Sequence, residues 1–137
     1  MNCRFAFLSA LLLILALSPF RSSSQQAVPK PLAINLDPTA TGYTPVLSGP
    51  PTTVGMRSGY VVLAAGASVG RHSTERYEEL IVVLGGAGDL RLTGRSPLAL
   101  REGTVAYSPP NTEHDVINTG TVALRYLYVV APGRRED

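Results

Sequence analysis

The chain has 137 residues, 45% of them hydrophobic and 16% charged, a balance that supports one folded domain and excludes an intrinsically disordered chain. Its formal net charge is +2, but Arg4 and Arg21 account for that excess and both lie in the first 24 residues, so nothing beyond them forms the basic patch that nucleic-acid binding needs. The one cysteine, Cys3, lies in the same stretch, which excludes disulfide staples and thiolate metal ligands from the remainder.

Met1–Arg4 carries a positive charge, Phe5–Leu17 is apolar apart from Ser9, and Pro19 and Ser22–Ser24 follow. This is the layout of a cleavable export signal over residues 1–24. The apolar run is shorter than the about 20 residues needed to span a bilayer. The expectation is an exported protein, periplasmic or secreted, with no stable membrane anchor once the signal is removed. Residues 25–131 are expected to form the folded domain, entered through a polar lead-in at Gln25–Pro31, and 132–137 a flexible charged tail.

Within the domain, short runs rich in Val, Leu, Tyr and Thr alternate with Gly, Pro, Asn and Asp. Strands are predicted near Leu32–Leu36, Gly59–Ala65, Leu80–Leu84, Asp89–Leu92, Leu98–Leu100, Thr104–Tyr107, His114–Asn118 and Leu124–Val130. No run has a helical period, and short strands at this spacing mark an all-β sandwich or barrel; a jelly-roll β-barrel fits best. Gly85, Gly86 and Gly88 mark one reversal, and Pro109, Pro110 and Asn111 another. The glycines do not form a dinucleotide loop, because the third position of that pattern falls on Arg91 in a predicted strand.

On the predicted strand through Leu80–Leu84, Glu79, Ile81 and Val83 share one face while Leu80, Val82 and Leu84 share the other. Two apolar faces require a second layer on one side and a further cover on the other, so homodimerisation through sheet packing is expected. Glu79 stands out, because a carboxylate at the start of such a strand must be paired, hydrogen-bonded or bound to a cation.

The chain has two histidines, His72 and His114, each at a junction of strand and turn. His72 and Glu79 are spaced for one strand to end and the next to return with both side chains inward, and His114 arrives from a later hairpin. Two imidazoles and a carboxylate suit a divalent transition metal, Fe, Mn, Zn, Ni or Co, and suit calcium poorly. For either histidine alone a hydrogen-bonded structural role is the plainer reading. Glu78 is the neighbouring alternative carboxylate. Asn118 is read as a turn stabiliser, Tyr107, Tyr126 and Tyr128 as packing or cavity residues, and Arg71 and Arg76 as solvated groups or anion contacts at the barrel mouth.

Gly66, His72, Glu79 and Gly86 fall in the register of the pattern G-x5-H-x-H-x4-E-x6-G, and Gly103, Pro109, His114 and Asn118 in that of G-x5-P-x-G-x2-H-x3-N. In this the chain resembles the small single-domain cupins, with core motifs spanning residues 66–118. The resemblance implies an all-β cupin jelly roll, a double-stranded β-helix of antiparallel strands, commonly homodimeric, with a metal held by His72, Glu79 and His114. It also implies a small-molecule ligand in the barrel. Two positions depart from the pattern: Thr74 replaces the second histidine of the first motif, and Asn111 the middle glycine of the second. Asparagine tolerates left-handed backbone angles, so the second turn is expected to survive. Thr74 removes a strong donor and leaves a three-ligand set with open positions. The functions open to such a chain are a metal-dependent enzyme (dioxygenase-, isomerase- or lyase-like) acting on a small oxygenated molecule, a non-catalytic binding or sensing module, and a structural barrel with a degenerate site.

Overall fold

The computed structural model describes residues 28–133. The export signal expected over 1–24 and the charged residues 134–137 lie outside the described residues. Among the described residues there are nine strands and no helix: β1 (Gly42–Ser48), β2 (Arg57–Leu63), β3 (His72–Ser73), β4 (Tyr77–Gly85), β5 (Ala87–Leu92), β6 (Leu98–Arg101), β7 (Val105–Ser108), β8 (Glu113–Ile117) and β9 (Leu124–Pro132). They form two antiparallel sheets, in the orders β1-β2-β9-β4-β7 and β3-β8-β5-β6. Alternate residues of both sheets, among them Val61, Ile81, Val83, Leu90, Val116 and Leu124, point into one shared core.

Seven of the eight predicted strands overlap observed ones; Leu32–Leu36 does not. That stretch is irregular and exposed, because it lies between Pro31 and Pro38 and pairs with no other strand. The first strand is instead β1, which carries Pro45 at its interior. Proline is tolerated there because β1 is an edge strand and its register with β2 shifts between Pro45 and Leu47. The irregular lead-in still packs on the barrel: the Arg125 guanidinium donates both to the Pro38 carbonyl and to the Tyr60 hydroxyl, on the outer face of β2 and β9. At the other end β9 runs to Pro132, opposite Tyr77, and the Gly133 amide donates to the Arg76 carbonyl.

The expected alternation of β4 is observed. Glu79, Ile81 and Val83 are buried, while Leu80 and Leu84 are exposed. Asn118 ties three segments together, donating through Nδ2 to the Leu63 and Val122 carbonyls and accepting through Oδ1 from the Gly120 amide. That is the turn-stabilising role expected of it.

Gly86 reverses the chain between β4 and β5 at φ +82°, where a Cβ would overlap the Ala123 carbonyl oxygen and approach the Leu124 Cα to 2.9 Å. Gly94 has a similar angle, φ +71°, with open space around it. Gly86→Ala therefore adds a backbone collision to the left-handed penalty, whereas Gly94→Ala meets the penalty alone. Urea unfolding is expected to show a loss of about 1 kcal/mol for Gly94→Ala and of more than about 2 kcal/mol for Gly86→Ala.

Candidate metal centre

β8 carries His114 into the interior because Val116, two residues on, must also face the core. The ring is 1% exposed. Its Nδ1 lies 2.9 Å from the Thr112 carbonyl oxygen and 3.1 Å from Ser108 Oγ. A carbonyl can only accept, so Nδ1 carries the hydrogen and Nε2 is the nitrogen left with a lone pair. Nε2 points at Glu79 Oε2, 3.1 Å away. Two acceptors at that distance require a proton or another cation between them.

Glu79 is brought to this point by the alternation that buries Ile81 and Val83, and it is 5% exposed. Burial alone works to lower the His114 pKa, but the hydrogen bonds to Glu79 and the Thr112 carbonyl, with the charges of Glu79 and Asp115, outweigh it and hold the pKa above the ordinary imidazole value. His114 Nε2 and Glu79 Oε2 are each other's partner, and among the described residues no buried side-chain nitrogen or oxygen lacks one.

His72 sits directly opposite His114 across β3 and β8, and the ring centroids are 4.5 Å apart. Its Nδ1 donates to the Gly70 carbonyl, 2.9 Å away, which again leaves Nε2 free. His72, Glu79 and His114 each offer a donor atom, and these atoms lie within 4.8 Å of one another. Ligands at about 2.0–2.2 Å from a metal are closer together than that limit. The Glu79–His114 pair already has the required spacing. His72 lies exposed on the two-residue strand β3.

The adjacent residues separate cleanly. Glu78 faces outward and accepts a hydrogen bond from the Tyr107 hydroxyl at 3.0 Å, so it is no part of this cluster. Thr74 follows β3 and lines the same cavity as His72, but its hydroxyl donates to the Tyr77 carbonyl at 2.8 Å. The side chain that replaces the motif histidine thus closes the β3–β4 turn. Asn111 has φ +56°, the left-handed angle expected of it, and its amide donates to the carbonyl of Glu75, itself at φ +53°.

His72 and Glu79 line a cavity of about 880 Å³, and His114 lies behind Glu79, buried in the wall. Tyr126 and Tyr128 line it, one of the two roles left open for them, whereas Tyr107 lies outside against Glu78. Burial raises the pKa of both inward phenols, which keeps them protonated and able to donate. Neither Arg71 nor Arg76 faces the cavity. Arg71 forms an exposed pair with Glu113, and Arg76 lies against the Tyr77 ring. The arginine that lines it is Arg57, which sequence reasoning passed over together with Ser108. Both lie just outside the predicted strands Gly59–Ala65 and Thr104–Tyr107; in the observed β2 and β7 Arg57 shares a strand face with Val61 and Leu63, and Ser108 with Ala106.

Comparison with known proteins places this geometry in context. No curated protein matches the sequence. The family described as the cupin domain matches residues 59–130. Among solved structures, the cupin domain of Cnp3 from Schizosaccharomyces pombe is similar at a TM-score of 0.59 and 18% identity, over 66% of this chain and 63% of that one, so the chain spans less than two thirds of that domain. An RmlC-like cupin with a double-stranded β-helix fold from Methanocaldococcus jannaschii gives 0.62 and 20%, over 74% of this chain and 91% of that one. A predicted oxalate decarboxylase from Thermotoga maritima gives 0.54 and 18%, over 72% and 99%. At these identities the structural likenesses concern the fold. With the family match covering more than half of the sequence and the two-sheet barrel observed, the chain belongs to the cupin family.

Proposed function

We propose that this is an exported cupin protein that holds one divalent transition-metal ion through His72, Glu79 and His114 and takes a small oxygenated molecule into the cavity beside it. The observation that carries this reading is the orientation of the two imidazoles. Both have Nδ1 tied to a backbone carbonyl, which leaves each Nε2 with its lone pair, and each ring has a nitrogen within 4.8 Å of a buried carboxylate oxygen. Backbone carbonyls that fix the outer ring nitrogen are the usual support of metal-binding histidines. The donor set, two neutral nitrogens and one anionic oxygen, fits Fe, Mn, Zn or Ni.

A bound ion of this kind supplies Lewis acidity to a coordinated oxygen, which serves dioxygenase-, isomerase- or lyase-like reactions. The chain itself supplies the rest. Thr112 and Ser108 hold the His114 ring, Tyr126 and Tyr128 offer phenolic hydrogens to the cavity, and the buried position of Glu79 keeps its carboxylate away from bulk water. A non-catalytic binding module is the second reading. It is favoured by Thr74, whose hydroxyl is occupied in the turn and adds no fourth ligand.

Export rests on the residue pattern of 1–24. Homodimerisation is supported by the outer face of β4 and β7, where Leu80 pairs with Tyr107 and Leu84 and Val105 lie close by, all four 39% to 61% exposed.

Elemental analysis of protein purified without added metal or chelator is expected to give close to one transition-metal ion per chain, and His114→Ala or Glu79→Gln to lose most of it. Protein that takes up none of the offered ions would overturn the metal reading. Metal affinity is expected to rise with pH. The raised pKa keeps His114 protonated to higher pH, and a proton on Nε2 competes with the ion, so zinc should bind at least tenfold more weakly at pH 5.5 than at pH 8. Thr74→His is expected to tighten zinc binding by at least tenfold; unchanged affinity would mean that position 74 does not reach the ion. Sedimentation is expected to show a dimer that Leu80→Glu converts to monomer.

A further inference from the structure

The cavity has a second polar feature besides the histidine–glutamate cluster. Arg57, Val130 and Glu79 are paired residues on three neighbouring strands, β2, β9 and β4, so they form one row across the sheet. Directly opposed residues of an antiparallel sheet project from the same face, and adjacent strands are about 4.8 Å apart. The Cα atoms of Arg57 and Glu79 are therefore about 10 Å apart, with both side chains on the inner face. The Arg57 guanidinium lies 4.8 Å from the centre of the Tyr77 ring, and Tyr77 is the next inward residue before Glu79 on β4. Arg57 and Glu79 line the same cavity, with Tyr77 beside the guanidinium.

Arg57 forms no ion pair among the described residues. Contact with a ring face steadies a guanidinium without using its N–H donors, whose fork fits a carboxylate. Glu75 also lines the cavity, but it forms no ion pair with Arg57.

Val130 lies between Arg57 and Glu79 in the row, and the wall beside it is aromatic, formed by Tyr128 of β9 and Tyr43 of β1. The Tyr43 and Tyr128 rings are stacked at 15° with centroids 6.3 Å apart, and their hydroxyls are 3.1 Å apart. They meet over Gly59, where a Cβ would come within 2.5 Å of the Tyr43 ring and 2.7 Å of the Tyr128 ring. Gly59 thus provides the space in which the two rings lie against the sheet, in the row between Arg57 and Val61. A cation, a pair of stacked rings and an oxygen-seeking cluster line one cavity.

We infer that the ligand of this cavity is a small carboxylic acid with a flat unsaturated body, its carboxylate held by Arg57 and an oxygen at its other end directed to the His72–Glu79–His114 cluster. This rests on the proposed metal reading for one end of the ligand and on Arg57 alone for the other. Arg57 is a specificity-determining residue in this arrangement.

The test is calorimetric titration of zinc-loaded protein with 4-hydroxybenzoate and with its neutral counterpart 4-hydroxybenzamide, zinc content being measured on each sample. Wild-type protein is expected to bind the acid at least tenfold more tightly than the amide. Arg57→Gln should weaken the acid at least tenfold and leave the amide within twofold, with zinc content unchanged, and Arg57→Lys should restore part of the loss. Comparing the acid–amide difference of wild type with that of Arg57→Gln removes any preference that the metal itself has for a carboxylate. No binding of the acid to wild type, or equal weakening of both probes by Arg57→Gln, would overturn the inference, as would no effect on either. Failure of zinc uptake, with the Arg57-dependent preference still present in metal-free protein, would overturn the metal reading and leave the carboxylate site standing.

Discussion

A histidine nitrogen with a lone pair faces a buried carboxylate across 3.1 Å in this barrel, and something positive has to lie between them. Much of the local architecture follows from that requirement. The Thr112 carbonyl fixes which nitrogen of His114 bears the hydrogen, Ser108 closes the other side of the ring, and the alternation of β4 brings Glu79 to the same depth as the core residues Ile81 and Val83. An unpaired carboxylate at that depth costs several kcal/mol, on the order of a small domain's whole stability. The cluster is therefore a structural commitment of the fold as well as a chemical opportunity.

The sheet supplies the remaining geometry through strand register. Pairing of His72 with His114 joins two distant parts of the sequence in one step, and the row Arg57–Val130–Glu79 sets the distance between a cation and the buried carboxylate. Neither relation needs a loop to adopt a special shape. Side chains on paired strands are carried by the hydrogen-bond ladder, whose spacing is nearly invariant, so the polar groups of the cavity are held with the rigidity of the barrel.

Much of this was legible in the sequence for a physical reason. Gly66, His72, Glu79, Gly86, Gly103, Pro109, His114 and Asn118 are spaced by the turns and strands of the cupin barrel, so their order on paper reproduces their convergence in space. Strands with clean alternation, such as β4 and β9, were equally visible. Three features were hidden. β1 contains a proline, permitted by its edge position and by a bulge that composition does not reveal. Leu32–Leu36 has strand-like residues but no partner strand, and pairing is a long-range property. Arg57 reads as a surface charge until the register of β2 shows that it shares a face with Val61 and Leu63. The role of Thr74 was also out of reach, since its hydrogen bond to Tyr77 depends on the three-dimensional course of a turn.

The bond between Asn111 and Glu75 has a consequence for how this chain can change over time. It joins the turn after β3 to the turn after β7, and both residues hold left-handed angles to make it. The lengths of two loops are thereby tied to each other: an insertion in either one would have to be matched in the other or would break the link. The β5–β6 reversal lies at the same rim, since Leu92 pairs with His114 and the Thr93 amide donates to the Glu113 carbonyl, but beyond Thr93 there is open space around Gly94. Drift in loop length among descendants of this protein should accordingly concentrate beyond Thr93 in the β5–β6 reversal, while the turns after β3 and β7 keep their residue counts.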